Sequence, residues 1–132
     1  MSQMTVALRS IPDTQAALGW AGGHTVVIDR PPGRAGGMGL GFNGGEMLAL
    51  AIGGCFCNDL RYTAEAMGMV VDDIAVDVTI TLEGQPALVT AAMLTAKVAA
   101  QGDVAELIRR AAADSTVGNS IKRGFPVTIG PI

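Results

Sequence analysis

The sequence predicts an α+β fold in which antiparallel sheets surround one long helix. Three observations point to it. Residues 71–82 and 88–100 alternate apolar and polar side chains on either side of a Gly84-Gln-Pro86 turn, as the two strands of a long hairpin do. From Glu46 to Met67 the chain reads as one helix, and its first half is apolar on every side, as in a buried helix. Strands come in runs separated by helices, which favours antiparallel pairing.

Taken in order, Met4–Leu8 and Thr25–Asp29 read as strands, joined by a connection that Pro12-Asp13 and Gly22-Gly23 punctuate as turns. Pro31-Pro32 ends the second strand, and residues 33–45 form a loop with seven glycines. In the helix, Met47–Cys57 is apolar all round. From Asn58 onward Leu60, Ala64 and Met67 share one face, while Arg61 and Glu65 share another as an i, i+4 ion pair. Gly68 supplies the C-cap. After the hairpin, Asp103-Val-Ala-Glu106 has the form of a capping box and opens a helix to about Ser115. Asn119–Arg123 reads as a further helical turn ended by Gly124, and Phe125–Ile129 as a last short strand. No linker or repeat divides the 132 residues, so a single domain over 1–132 is expected.

Composition narrows the function. The chain is 49% hydrophobic but only 4% aromatic, so aliphatic residues and Met must build the core. A mean hydropathy of +0.40 is high for a small monomer, which favours burial against a partner. The net charge is −3, from 9 basic and 12 acidic residues, with no basic face and no interleaved aromatics, so nucleic acid is not expected as a partner. Arg109-Arg110 and Lys122-Arg123 are placed as helix C-terminal charges. The longest apolar run, Met47–Phe56, is shorter than the roughly 20 residues of a membrane span. No leader-like pattern opens the chain. The two cysteines are no disulfide framework, so a reducing cytoplasm is the expected location.

Gly53-Gly54-Cys55 is the strongest local anomaly. A mid-helix glycine costs on the order of 1 kcal/mol relative to alanine, so two in succession imply a close approach to the backbone. Tight helix packing and room for a substrate beside Cys55 are compatible readings. Cys55 is the candidate nucleophile; a reactive thiol needs a nearby cation or donor. Cys57 points roughly 200° away on a helix, so it cannot pair with Cys55, and it reads as structural. His24, the one histidine, has no partners spaced for metal binding, so no metal is expected. Gly39-Leu-Gly-Phe-Asn-Gly44 matches G-x-G-x-x-G but does not follow directly on a strand, so no nucleotide or other cofactor is expected.

The run Asn43-Gly-Gly-Glu46-Met-Leu-Ala-Leu-Ala-Ile-Gly-Gly-Cys55-Phe resembles the helix motif of the OsmC/Ohr family of osmotically inducible and organic hydroperoxide resistance proteins. Gly23–Pro32, the hairpin Asp73–Ala100 and Asn119-Ser-Ile-Lys-Arg-Gly124 are similar to further family segments in the right order, over about residues 20 to 130. The resemblance implies an OsmC-like fold and an intertwined homodimer, with long central helices packed between sheets that both subunits supply. It also implies peroxiredoxin-like, thiol-dependent reduction of organic hydroperoxides in an oxidative stress response. Cys55 would attack the peroxide and become a sulfenic acid, supported by Glu46 and by an arginine, either Arg30 or Arg34. The family's second cysteine is replaced by Val117, so an external thiol would regenerate Cys55. Glu46 precedes Cys55 by nine residues, about 13 Å of helix, so contact would have to cross a dimer interface. Met47, Leu50 and Phe56 would line an apolar substrate site. Two other readings remain: a non-catalytic dimer that binds a small hydrophobic ligand in its interface cleft, and another thiol chemistry such as acyl or sulfur transfer.

Overall fold

The computed structural model describes residues 1–132. Eight elements form in the order β1 (Ala7–Ser10), β2 (Ala17–Ala21), β3 (His24–Ile28), α1 (Gly44–Ala66), β4 (Val71–Glu83), β5 (Leu88–Ala100), α2 (Val104–Asp114) and α3 (Thr116–Arg123). Both sheets are antiparallel, one of order β1-β2-β3 and one pairing β4 with β5. The chain divides into two compact units, residues 1–48 and 49–132.

In the first unit β2 occupies what the sequence marked as a turn-rich connection. Its signal was the two-residue Gly22-Gly23 link, which leaves Ala21 and His24 paired across a tight hairpin. After β3 the chain turns back on itself, and Asp29 governs that turn. Its side chain is buried, and it accepts backbone N–H bonds from Arg30 at 2.8 Å, Met38 at 3.0 Å and Leu40 at 3.1 Å. Arg30 Nη2 lies 3.3 Å from the same carboxylate. Three N–H donors and a guanidinium compensate a buried charge that would otherwise be costly.

The returning segment alternates glycine with large apolar residues. Gly37, Gly39 and Gly41 turn toward the preceding backbone, so closely that a Cβ on Gly37 would lie 2.6 Å from the Pro31 carbonyl oxygen. A Cβ on Gly41 would overlap the Val27 carbonyl oxygen. Phe42 N donates to Val27 O and Asp29 N to Phe42 O, each at 3.0 Å. Met38, Leu40 and Phe42 lie on the exposed side.

The second unit is built on the β4–β5 ribbon. Pairs such as Ile74↔Val98, Val76↔Ala96 and Val78↔Leu94 fall on one face, as alternation predicts. Phe56, Leu60 and Ala64 of α1 meet Val71, and Leu107 and Ala111 of α2, in the core. Arg61 does not form the expected ion pair with Glu65. Arg61 Nη1 instead donates to the Val71 carbonyl at 2.9 Å, tying the helix to the start of β4. Helix α1 ends as expected at Gly68, whose φ is +67°. Met69 N bonds Ala64 O at 2.8 Å and Gly68 N bonds Glu65 O at 3.1 Å, the paired bonds of a Schellman motif.

Asp103 caps α2 through Glu106 N at 3.0 Å. The Glu106 side chain does not return the bond. It holds Arg109 at 2.7 Å and Arg110 at 2.8 Å, which together keep its carboxyl near a pKa of about 2, Arg109 contributing most. Helix α3 begins three residues earlier than expected because Ser115 caps it. Phe125–Ile129 is not a strand within this chain: no strand edge takes it up, and Phe125, Val127 and Ile129 are 62%, 72% and 92% exposed. Helix α1 buries one face only, through Gly53, Phe56, Leu60 and Ala64, while Leu50 is half exposed. No helix is long and apolar enough to cross a membrane.

Two outcomes follow from the loop. Gly41→Ala forces a methyl into the Val27 carbonyl and is expected to cost about 1–3 kcal/mol, read as a lower denaturant midpoint at unchanged slope. The bond from Leu40 N–H does most to hold Asp29 below its ordinary pKa of 3.8. Burial opposes it, and the Met38 and Arg30 N–H groups and the Arg30 charge assist it. A carboxyl held lower in the folded than in the unfolded chain adds stability that is complete above the unfolded value. That stability is lost as pH falls through the folded value. Asp29→Asn is therefore expected to lower the denaturant midpoint at pH 7 and to flatten its decline below about pH 4.

Candidate thiol site

Cys55 sits on α1 two residues after the point where the helix touches the ribbon. A Cβ on Gly53 would lie 3.0 Å from Val78 Cγ2, whereas one on Gly54 would meet nothing within 4 Å. The two glycines thus differ in purpose. Gly53 lets the helix backbone settle on β4, and Gly54 leaves open space on another face, one residue before the thiol.

Cys55 is half-buried and unpaired, as is Cys57. Two polar side chains reach its sulfur. Asp59, one turn further along α1, has Oδ2 3.6 Å from Sγ and accepts from the thiol. Ser115, at the junction of α2 and α3, has Oγ 4.0 Å from Sγ. Ser115 is buried, and its Oγ also accepts from Gly118 N at 3.4 Å as the N-cap of α3. Asp59 was legible in principle, since i, i+4 places it on the same helical face. Ser115 lies 60 residues away and carries no sequence signal beyond its capping role.

Each of these partners also lines a cavity. Asp59, with Tyr62, Thr63, Arg110 and Asp114, borders a mixed recess of about 370 Å³ against α2 that Ala66 and Met67 also line. Ser115, with Ile52, Phe56, Leu94, Ile108 and Ile121, borders an apolar cavity of about 380 Å³, and Lys122 stands at its lining as the charged group. Cys55 therefore shares one neighbour with a mixed polar and apolar space and one with an apolar space.

The other expected residues fall elsewhere. Glu46 is exposed and forms a reciprocal capping box: Glu46 N donates to Asn43 Oδ1 at 2.9 Å, and Asn43 N donates to Glu46 Oε1 at 3.0 Å. The carboxylate beside the thiol is that of Asp59. Arg30 is committed to Asp29 and to the Gln15 carbonyl, the latter at 2.6 Å, and Arg34 is exposed in the turn after Pro31-Pro32. Of the three expected apolar contacts, Phe56 lines the cavity beside Ser115. Met47 lines a different space of about 240 Å³, over the three-stranded sheet with Trp20, His24 and Ile28, and Leu50 lines neither. Val117 lies on the first turn of α3, two residues past Ser115.

Comparisons with known proteins agree on the fold. A family model described as OsmC-like protein matches residues 36–130. An OsmC-like protein from Mycoplasma pneumoniae superposes with a TM-score of 0.77 at 14% identity, over 92% of this chain and 88% of that one. An organic hydroperoxide resistance protein OsmC from Legionella pneumophila gives 0.68 at 16%, over 92% and 90%. The organic hydroperoxide resistance protein OhrB of Bacillus subtilis gives 0.61 at 17%, over 92% and 91%. No curated protein sequence matches this one.

The packing role of Gly53 is separable from its helix propensity. Gly53→Ala and Gly54→Ala gain the same propensity, of order 1 kcal/mol. Only the former presses on Val78. Gly53→Ala is expected to be the less stable of the two by about 1–3 kcal/mol in denaturant melts.

Proposed function

The chain belongs to the OsmC-like protein family, and from that premise we propose that it is a thiol-dependent reductant of organic hydroperoxides acting through Cys55. The observation that supports this reading most is the placement of the thiol. It is half-buried, hydrogen-bonded to Asp59 and Ser115, and one neighbour away from an apolar cavity with room for an alkyl chain.

The chemistry balances with one peroxide and two equivalents of an external thiol. Cys55 sulfur attacks the outer peroxide oxygen, the O–O bond breaks, and the products are a sulfenic acid and an alcohol. A first small or protein thiol condenses with the sulfenic acid, releasing water and leaving a mixed disulfide. A second thiol attacks that disulfide and restores Cys55. An external donor is needed because Val117 carries no sulfur and Cys57 points away along the helix. Such a donor pool belongs to a reducing compartment, the cytoplasm in this reading.

We also place a second copy of the chain in the working molecule. A two-stranded ribbon is marginal in isolation, yet the outer half of β4–β5 is exposed here, with Leu82, Leu88 and Met93 uncovered. The apolar tail from Phe125 and the open face of α1 at Leu50 and Gly54 are uncovered too. In such a dimer a supporting carboxylate such as Glu46, and an arginine from the loop at Arg30 or Arg34, would come from the partner. A second reading is a non-catalytic dimer that binds a small hydrophobic ligand in its interface cleft, and the apolar 380 Å³ cavity of the single chain supports an apolar ligand there too.

The deciding experiment exposes the protein briefly to an organic hydroperoxide with a sulfenic-acid trap and weighs the intact chain. One trap adduct is expected on the wild type and none on Cys55→Ser. If the wild type stays unmodified while a control thiol is oxidised, the peroxide reading is lost and the ligand-binding dimer takes its place.

A further inference from the structure

The expected supporting carboxylate is engaged at the helix start, and another stands beside the sulfur. Glu46 spends its carboxylate on Asn43 N, while Asp59 Oδ2 lies 3.6 Å from Cys55 Sγ, within reach of the thiol hydrogen. The spacing is fixed by the helix, since Asp59 follows Cys55 by four residues on the same face. Ser115 approaches the sulfur from α3's capping position. If its hydroxyl donates to the sulfur, the S–H is left to point at Asp59. The other charged groups near this cluster are Arg110 and Asp114 of α2, in the recess that Asp59 borders, and Lys122 of α3, in the cavity that Ser115 borders.

We propose that Asp59 is the proton acceptor for Cys55, and that Ser115 orients the sulfur. This rests on Cys55 being the peroxide-reactive thiol. As the sulfur–oxygen bond forms, the thiol proton moves to Asp59 Oδ2 and the sulfur electron pair enters the new bond. The O–O pair leaves on the alkoxide of the alkyl hydroperoxide. Asp59 then returns its proton to that alkoxide, giving the alcohol, while the hydrogen already on the outer peroxide oxygen stays on the sulfenic acid. Asp59 ends as it began. A carboxylate in this place serves the departure of an alkoxide, which must be protonated, whereas the iodide that leaves in alkylation takes no proton. The two reactions therefore respond differently to its loss, and that separates a proton-transfer role from a structural one.

The test measures two second-order rates on the whole protein at pH 7: sulfenic-acid formation with an alkyl hydroperoxide, and alkylation by iodoacetamide, which reads thiolate alone. In Asp59→Asn the oxidation rate is expected to fall by about 100-fold, while alkylation is unchanged or faster. Asp59→Ser provides a second variant in case the amide disturbs the helix, and circular dichroism melts check both. Oxidation as fast as wild type in a folded Asp59 variant overturns the role of Asp59 alone. So does a parallel fall of both rates. A wild type that forms no sulfenic acid removes the peroxide reading itself, and this inference with it.

Discussion

The close approach of α1 to the β4–β5 ribbon at Gly53 is the contact on which the second unit depends. With the Gly53 backbone set against Val78, the next inward positions at helical spacing are Phe56, Leu60 and Ala64, and these are the residues that reach the core. They meet Leu107 and Ala111, so the capped helix that follows the ribbon is held by the same surface. Cys55 is carried along by this geometry. It sits beside the inward stripe but not on it, which leaves its sulfur half-buried and near Ser115, at the start of the last helix. A bulkier residue at position 53 would lift the helix, and the separation between Cys55 and Ser115 would change with it.

The same economy leaves much apolar surface uncovered in one chain. Few residues are fully buried, and they are mostly aliphatic or alanine, as an aliphatic-rich, aromatic-poor composition requires. Many of the uncovered apolar residues fall in three segments: Met38, Leu40 and Phe42 on the clamped loop, Phe125, Val127 and Ile129 on the tail, and the outer ribbon. Asp29 shows that the loop is not exposed through slackness. Its three backbone bonds hold that segment in one conformation, with glycines inward and large side chains outward. Ordering a segment so that it displays apolar groups to water is unfavourable unless something covers them, and the hydropathy of the chain and its surface both support the proposed second copy.

Much of this was legible because the signals are local. The ribbon follows from strict alternation, and its observed ends, Val71–Glu83 and Leu88–Ala100, differ from the reading by one residue. The ends of α1 follow from Asn43, Glu46 and Gly68, whose side-chain and backbone preferences act within one turn. What failed was decided by distant groups. β2 is short and carries Gly19 among its five residues, so its pattern is weak, and pairing on both sides with β1 and β3 stabilises it. Phe125–Ile129 has strand composition, but a strand needs an edge, and one chain offers it none. Arg61 had a carboxylate at the right spacing and chose the Val71 carbonyl, a fixed acceptor near the core, over an exposed and weakly favourable ion pair. At the site, Cys55 drew notice through the glycines before it, and Asp59, which the reading passed over, could have been found from helix periodicity. Ser115 was not, because only the return of the chain through the ribbon and α2 brings it to the sulfur.

The exchange of Glu46 for Asp59 beside the thiol changes what the site is suited to. A cysteine activated by a cation keeps a standing thiolate and reacts with many electrophiles. A cysteine paired with a carboxylate and a hydroxyl has a proton acceptor and a donor in place instead. In the proposed reaction that arrangement serves a substrate whose leaving group must be protonated, and an alkyl hydroperoxide offers one as its alkoxide departs. With no thiol at Val117, a sulfenic acid at Cys55 would have to wait for a second molecule and would stay open to over-oxidation meanwhile. In that reading, selectivity for an organic chain would rest on the apolar cavity beyond Ser115.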